Sequence, residues 1–125
     1  MVRNHLQHRS SLGKKGEQAV GKWLQERGFT ILQYNFSVRA GEVDIIATKD
    51  EMLIFVEVKT RKNRYFHLSE VITYSKQQKI IKAAKRYLMQ YEAIDKVFRF
   101  DVALVTESNE PHIDYIPHAF SEGFY

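Results

Sequence analysis

The stretch GEVDIIATKDEMLIFVEVKT, residues 41–60, decides the fold of this chain. It contains two apolar runs separated by the polar segment KDE, which is typical of a β-hairpin. Side chains alternate across a strand, so one face of each run is apolar, whereas the other face carries Asp44, Glu57 and Lys59 among apolar neighbours. Charged residues are rarely buried without partners, so these three side chains need an explanation of their own.

The hairpin register follows from the apolar pattern. Pairing Asp44 with Glu57 places Ile46 opposite Phe55 and leaves residues 50–51 as a two-residue turn, or residues 49–52 as a four-residue turn. A slip of one residue would mix the two faces, because the side-chain period of a strand is two. The register predicts a wholly apolar reverse face made of Val43, Ile45, Ala47, Ile54, Val56 and Val58.

Opposed carboxylates indicate a cation site. Cβ atoms of directly opposed residues lie about 4.5–5.5 Å apart, and two carboxylates at that spacing repel each other and raise at least one pKa. A divalent cation such as Mg²⁺ or Mn²⁺ removes the repulsion and takes oxygen ligands. We expect ligands from Asp44, Glu57 and the main-chain carbonyl of Val58, with Lys59 placed to serve a bound water or a developing phosphoryl charge.

Two structural alternatives stay open for these charges. One is a buried salt-bridge cluster, although such clusters rarely add stability. The other is an edge hairpin whose polar face meets solvent, but Ile46, Leu53 and Phe55 on the same face argue against full exposure.

Periodicity and turn residues predict the remaining elements. They are a helix over 14–27 stopped by Gly28, a strand over 30–38, a loop over 60–74, a helix that begins at Ser75, a strand over 97–105, and a short edge strand over 112–116 ended by Pro117. Ser75 and Gln78 have capping-box spacing. In the first strand, Leu32, Tyr34, Phe36 and Val38 are predicted to share one face. The order αβββαβ predicts an α/β fold with a central mixed sheet flanked by helices. We expect one domain over residues 1–125, with a flexible basic tail over 1–13.

Composition limits the function classes. The 125 residues carry a formal charge of +4 and a pI of about 9.3, which favours a polyanionic partner such as nucleic acid, although a basic protein without such a partner is an alternative. The chain has no cysteine, which excludes disulfides and thiolate metal sites. No run of about 18 apolar residues is present and the N-terminus has no signal-like apolar region, so we expect a soluble, cytoplasmic protein without membrane partners.

The quoted hairpin resembles the PD-(D/E)xK nuclease signature, with Asp44 as the first acid and Glu57-Val58-Lys59 as ExK. The segments GKKGEQAVGKWLQERGFTIL, NFSVRAGEVDIIA, FVEVKTR, KQQKIIKAAKRYL and RFDVALV resemble successive blocks of the YraN-like family, small bacterial proteins with a predicted endonuclease fold similar to Holliday-junction resolvases. The resemblance covers residues 13–105 and implies a restriction-endonuclease-like core. Val43 stands where the signature has proline.

The resemblance also implies a role for Glu17, which borders the apolar stripe of the first helix and would join the site as a metal or water ligand. The alternative is a first-turn glutamate stabilised by the helix dipole. Arg39, at the entry to the catalytic strand, is a candidate phosphate contact or a solvated turn residue. Asp101 shares a strand face with Arg99, which favours a structural ion pair.

A basic row on the second helix favours contact with a nucleic-acid backbone, although a solvated face is the usual explanation of such a row. Its members are Lys76, Lys79, Lys82 and Arg86, with Lys85 beside them, Gln77 as a weaker candidate, and Arg61 in the nearby KTRKNR segment.

The leading interpretation is a Mg²⁺- or Mn²⁺-dependent endonuclease acting on DNA, with branched or flap structures as the favoured substrates. Asp44 and Glu57 would hold the metal, Lys59 would serve the attacking water and Glu17 would complete the site. The alternatives are a non-catalytic nucleic-acid-binding module and an adaptor in a DNA repair or uptake assembly. Resolvase-like proteins often act as dimers, so a homodimer is also left open.

Overall fold

Seven elements form the part of the chain that the computed structural model describes, residues 11–62, 72–93 and 95–122, with only the backbone of 11 and 12. They are α1 (Ser11–Glu26), β1 (Thr30–Val38), β2 (Gly41–Lys49), β3 (Met52–Arg61), α2 (Tyr74–Gln90), β4 (Val97–Thr106) and β5 (His112–Phe120). The predicted αβββαβ order and α/β class are confirmed, and the mixed sheet with its two helices agrees with a restriction-endonuclease-like core. No helix within the described ranges has the length and apolar character needed to cross a membrane.

The sheet has the strand order β1-β2-β3-β4-β5, in which β3 and β4 are parallel and the other neighbours are antiparallel. Its two faces support two separate cores. On one face, Val20 and Leu24 of α1 pack on Ile54 and Val56 of the sheet. On the other face, α2 packs its buried residues around Phe55, and the burial of each large side chain stabilises the fold by about 1.5–3 kcal/mol.

The hairpin register is confirmed from Ile45, which pairs with Val56, to Lys49, which pairs with Met52. The intervening turn is residues 50–51, the shorter of the two predicted alternatives, and Asp50 has a φ of 54°, which is the left-handed conformation that tight hairpin turns require. The ladder recorded between β2 and β3 begins at Ile45 and does not include Asp44. The sheet therefore opens at the position of the first acid.

The side chains of β1 switch from one face of the sheet to the other at Asn35. The prediction that Tyr34 and Phe36 share one face is therefore wrong. The Tyr34 hydroxyl packs against Gly21 of α1, whereas the Phe36 ring lies 5.2 Å from the ring of Tyr87 on α2. The cause is the left-handed backbone of Asn35, whose φ of 54° interrupts the regular alternation.

The side chains of β2 also switch faces, at the position beside Asn35. The prediction that Val43, Ile45 and Val58 share one apolar face is therefore wrong. Val43 belongs to the α2-side core, whereas Ile45 belongs to the α1-side core and Val58 packs against that core. The register pairs Tyr34 with Ile45 and Phe36 with Val43, so Asn35 stands level with Asp44. The two strands change faces together at these two polar residues.

Several predicted boundaries move. Helix α1 begins at Ser11, three residues before the predicted start, and residues 1–10 of the predicted tail lie outside the described ranges. The predicted loop over 60–74 is shorter, because β3 extends to Arg61 and α2 begins at Tyr74, and its residues 63–71 are also outside them. Gly28 ends α1 as expected, with a φ of 93°.

The capping residue of α2 is Thr73, not Ser75. Its backbone is extended (φ −71°, ψ 163°), and its hydroxyl accepts a hydrogen bond from the Lys76 N–H at 3.2 Å. Ser75 already lies within the helix, so the Ser75–Gln78 capping box is wrong.

Strand β5 continues through Pro117 to Phe120. Proline has no N–H to donate. It is tolerated on an edge strand because the outer side of that strand has no neighbouring strand, so no ladder hydrogen bond is lost there. The next residue, His118, has a φ of 53° and turns its N–H to Asp101 Oδ1 at 2.9 Å. The prediction that Pro117 ends the strand is therefore wrong.

Candidate active site

A cleft of about 450 Å³ lies between the β1–β2 turn and the first turns of α2. Acidic side chains and basic side chains both line it. The lining residues are Ser37, Val38, Arg39, Ala40, Gly41, Glu42, Asp44, Glu57, Lys76, Lys79 and Ile80. The structure thus brings five of the predicted site residues into one cavity.

Gly41 allows the cleft walls to meet at one end. A Cβ atom on Gly41 would lie 2.3 Å from the main-chain oxygen of Lys79. Real Cβ atoms do not approach a backbone oxygen so closely, so the turn can rest against α2 only because this residue is glycine. The close approach sets the distance between the acids of β2 and the lysines of α2.

The Asp44 carboxylate is fixed in the plane of the sheet. Asp44 is 6 % exposed, and its Oδ2 accepts a hydrogen bond from the Val58 N–H at 2.8 Å. The side chain thus takes an N–H that a continued β2–β3 ladder would use, which agrees with the end of the ladder at Ile45. A strand residue points its N–H and its C=O to the same edge, so the Val58 carbonyl faces the side of Asp44 as well.

Glu57 lies beside Asp44 and shares its electrostatic environment. Burial first, then the charge of Asp44 and a hydrogen bond to Asp44, raise the pKa of Glu57 to about 9, against the opposing effect of Lys76. Two carboxyl groups in hydrogen-bond contact hold a proton between them in the absence of a cation. A divalent cation bound by oxygen ligands would replace that proton, so the donor set fits Mg²⁺ or Mn²⁺.

Lys59 lies on the same strand, two residues after Glu57, and is partly buried. Burial is the main cause that lowers its pKa; Lys76 and Arg61 lower it further, whereas Glu57 and Asp44 raise it. An amine with a lowered pKa gives up and takes up protons more readily near neutral pH. Lys59 is not among the described residues that line the cleft, although the charges of Glu57 and Asp44 act on it.

Glu17 reaches the sheet from α1. It is the seventh residue of that helix and is 4 % exposed, so the first-turn alternative is wrong. Its Oε1 accepts a hydrogen bond from Asn35 Nδ2 at 3.2 Å. Within residues 11–62, 72–93 and 95–122, no three His, Asp or Glu side chains form a group that could hold a metal ion. The structure assembles Asp44 and Glu57 as a pair, and the role of Glu17 stays a prediction.

The predicted nucleic-acid contacts separate into two groups. Arg39, Lys76 and Lys79 line the cleft, whereas Lys82 and Arg86 are exposed farther along α2. The adjacent Lys85 pairs with Glu122, which partly neutralises it.

Two further predicted contacts are less exposed. Gln77 is partly buried and donates to the Ile72 carbonyl over a long 3.4 Å, which supports the start of α2. Arg61 ends β3, where it is partly buried and near enough to Lys59 to affect its pKa.

Two site residues escaped the sequence reasoning. Glu42 lines the cleft and contributes to the raised pKa of Glu57. Asn35 binds Glu17, although the predicted alternation of β1 places Asn35 on the face opposite Tyr34 and Phe36. The available signal for Asn35 was its residue type, because asparagine tolerates the left-handed backbone better than other side chains.

The other buried acid, Asp101, is a structural residue, as predicted. It is 0 % exposed, and its carboxylate accepts hydrogen bonds of 2.8 Å from both Arg99 Nε and Arg99 Nη2. The Tyr115 hydroxyl donates at 2.5 Å and the His118 N–H at 2.9 Å. Four donors satisfy both oxygens.

Comparison with known proteins identifies the family of this chain. A family model described as Uncharacterised protein family UPF0102 matches residues 16–105. A UPF0102 protein of Alkaliphilus metalliredigens is 39 % identical over 111 residues, covering 88 % of this chain and 97 % of the relative. UPF0102 proteins of Geobacter metallireducens and Dictyoglomus turgidum are each 40 % identical, covering 90 % and 87 % of this chain and 94 % and 96 % of the relatives, respectively.

Proposed function

The chain belongs to Uncharacterised protein family UPF0102, also known as the YraN family, and from this premise we propose that it is a metal-dependent endonuclease that hydrolyses DNA phosphodiester bonds. The observation that carries the proposal is the contact between Asp44 and Glu57 in a cleft that also presents cationic side chains. Acids that repel each other in a cavity are costly to the fold unless a ligand uses them.

The ligands of the metal would come from β2 and β3. Asp44 and Glu57 supply carboxylate oxygens, and the Val58 carbonyl points to the same edge of β3. When bound, Mg²⁺ or Mn²⁺ supplies a Lewis acid that lowers the pKa of a ligated water and stabilises charge on the phosphoryl oxygens.

The cationic side chains act on the DNA and on protons. Arg39, Lys76 and Lys79 line the cleft and would hold the phosphates on either side of the scissile bond. Lys59 exchanges a proton with the attacking water, a role that its lowered pKa supports. Exposed Lys82 and Arg86 extend the cationic surface along α2, so the DNA backbone would follow that helix.

The shape of the cleft favours flap or branched DNA as the substrate. A cavity of about 450 Å³ has the volume of a small-ligand site, which suits a single strand better than a duplex. The strand of a flap or at a junction bends into such a site more readily than a strand held within a duplex.

Cleavage of a panel of labelled DNAs tests the proposal. The panel contains linear duplex, single strand, flap and four-way junction, each with Mg²⁺ or Mn²⁺. We expect wild-type cleavage of the flap or junction and a loss of at least about 100-fold in Asp44→Ala. Asp50→Ala is the matched control, because it removes an exposed aspartate from the turn of the same hairpin.

The other outcomes are equally informative. Salt-dependent DNA binding without cleavage by the wild type would replace the enzyme with the binding module. Absence of both binding and cleavage would favour the adaptor. Cleavage that persists in Asp44→Ala would locate the chemistry elsewhere.

A further inference from the structure

The acidic pair and Glu17 belong to elements on different sides of the sheet. Helix α1 packs on the face that contains Ile45 and Val56, whereas the cleft beside Asp44 and Glu57 is walled by α2. A regular sheet would separate Glu17 from the cleft. The physical question is how α1 can influence a site on the α2 side.

The sheet is interrupted where such a connection is needed. The β2–β3 ladder begins at Ile45, and β1 and β2 both change faces at Asn35 and Asp44. Asn35 has a φ of 54°, a conformation that only a small fraction of residues other than glycine adopt. Strain of this kind persists where the surroundings impose it and is concentrated at functional sites.

The two polar atoms of the Asn35 side chain differ in their hydrogen bonding. Its Nδ2 donates to Glu17 Oε1 at 3.2 Å. Its Oδ1 is buried and has no hydrogen-bond partner within the described part of the chain. A buried acceptor without a partner destabilises the fold by about 1–3 kcal/mol, so a ligand or water that supplies a donor is favoured there.

We propose that Asn35 is a positioning residue that links Glu17 to the acidic pair through the opening in the sheet. Its amide nitrogen holds the Glu17 carboxylate, and its Oδ1 accepts a hydrogen bond from a water that belongs to the hydration shell of the cation held by Asp44 and Glu57. Partners of this kind orient the direct ligands, and their removal typically weakens metal affinity about 10- to 100-fold. The inference rests on the proposed metal site, and its test separates the two.

The orientation of the amide supports the link. An ionised carboxylate accepts hydrogen bonds only, so the Asn35 NH₂ group must face Glu17 and the oxygen must face away from it. The Asn35 oxygen is therefore directed by Glu17, which means that loss of the Glu17 carboxylate and loss of the Asn35 amide remove the same arrangement.

Calorimetric titration of the metal-free protein with Mn²⁺ tests the link without reference to catalysis. Asn35→Gly keeps the left-handed backbone and removes the amide. Asp50→Gly is the matched control, because Asp50 has the same φ of 54° in an exposed turn. We expect Mn²⁺ affinity to fall about tenfold in Asn35→Gly and to stay within about twofold of wild type in Asp50→Gly.

A double-variant cycle distinguishes positioning from a general loss of structure. We expect Glu17→Ala, which removes the acceptor of the Asn35 amide, to weaken Mn²⁺ binding about as much as Asn35→Gly, and the double variant to bind no more weakly than the weaker single variant. Multiplicative losses in the double variant, unchanged affinity in Asn35→Gly, or absence of Mn²⁺ binding by the wild type would each overturn the proposal.

Thermal unfolding without metal checks that all variants fold. DNA cleavage by the same set then separates the two proposals. Coupled losses of Mn²⁺ affinity in a protein that cleaves no DNA would support the link and contradict the endonuclease. Normal DNA cleavage and normal Mn²⁺ affinity in Asn35→Gly would support the endonuclease and contradict the link through Asn35.

Discussion

Asp101 and the pair formed by Asp44 and Glu57 lie in the same sheet, but their carboxyl groups have different hydrogen-bond partners. Asp101 on β4 has both oxygens occupied by Arg99, Tyr115 and the His118 N–H, and the Tyr115 ring is stacked on Trp23 of α1 at 4.6 Å. Asp44 on β2 accepts the Val58 N–H and contacts a second acid, Glu57.

The difference distinguishes a structural acid from a candidate catalytic acid. The chain itself neutralises Asp101, and the ion pair raises the pKa of Arg99, mainly through the hydrogen bonds to Asp101. At Glu57 the neighbouring acid has the opposite effect, because it raises the carboxyl pKa and disfavours the charged form. Burial of an acid is thus no sign of function until its partners are identified.

The largest expected effect is on stability, from Asp101→Ala. The substitution leaves the Arg99 guanidinium and the Tyr115 hydroxyl without their acceptor, so the free energy of unfolding should fall by about 3–5 kcal/mol. Urea denaturation measures this loss. The Asp44→Ala protein should lose less, because the substitution removes the charge that opposes ionisation of Glu57 along with the hydrogen bonds to the Val58 N–H and to Glu57. Equal losses in the two variants would remove the distinction between the two acids.

The Gly41→Ala substitution acts on one region only. The added Cβ must push the β1–β2 turn away from the Lys79 main chain, which should destabilise the protein by about 1–3 kcal/mol and lower DNA cleavage. Asp101 lies on β4, away from this contact, so its hydrogen bonds should be unaffected. A crystal structure of the variant measures both regions, and a cleft of unchanged width would contradict the expectation.

The pH dependence of stability should distinguish the acidic pair. Between its ordinary pKa of 4.5 and the raised value of about 9, Glu57 stays protonated in the folded chain but ionises in the unfolded chain. The folded state then binds more protons, so the free energy of unfolding of the metal-free protein falls as the pH rises through this window. Glu57→Gln should remove this decline.

We expect a difference of about 1–2 kcal/mol between pH 5 and pH 9, because solvent screens part of the interaction. Urea denaturation of wild type and Glu57→Gln at a series of pH values measures it. If the free energy of unfolding depended on pH in the same way in both proteins, the acidic pair would not control stability between pH 5 and pH 9. Saturating Mg²⁺ should flatten the wild-type profile as well, since a bound cation replaces the proton.

The smallest expected effect concerns the cationic residues around the two regions. Arg99 is committed to Asp101, whereas Lys82 is exposed on α2. Lys82→Ala should reduce the slope of log affinity for DNA against log salt by about 0.9. Lys85→Ala should reduce it less, because Glu122 already neutralises part of that charge. Fluorescence anisotropy at several salt concentrations measures the slopes, and equal reductions would indicate that the ion pair has no influence.

The sequence was sufficient for the fold and for the acidic pair because both depend on alternation. The apolar pattern of residues 41–60 allows one register that keeps the faces distinct, and that register is confirmed from Ile45 to Lys49. The charges of Asp44 and Glu57 stood out against the same pattern. Local periodicity therefore predicted the elements and the position of the candidate site.

The errors occur where one backbone conformation or one side-chain hydrogen bond overrides the alternation. The left-handed Asn35 reverses the faces of β1, and Asp44 ends the hairpin ladder with its own carboxylate. The α2 cap moved to Thr73 because its extended backbone aims the hydroxyl at the Lys76 N–H. These features depend on φ and on tertiary contacts, which residue patterns do not encode.

The most direct test of the proposed metal site is to soak crystals of the protein with Mn²⁺ and locate the metal by its anomalous scattering. We expect one peak per chain between the Asp44 and Glu57 carboxylates, within ligand distance of the Val58 carbonyl, and no peak at Asp101. A peak at Asp101, or no peak at the acidic pair in a protein that cleaves DNA with Mn²⁺, would contradict the proposed site.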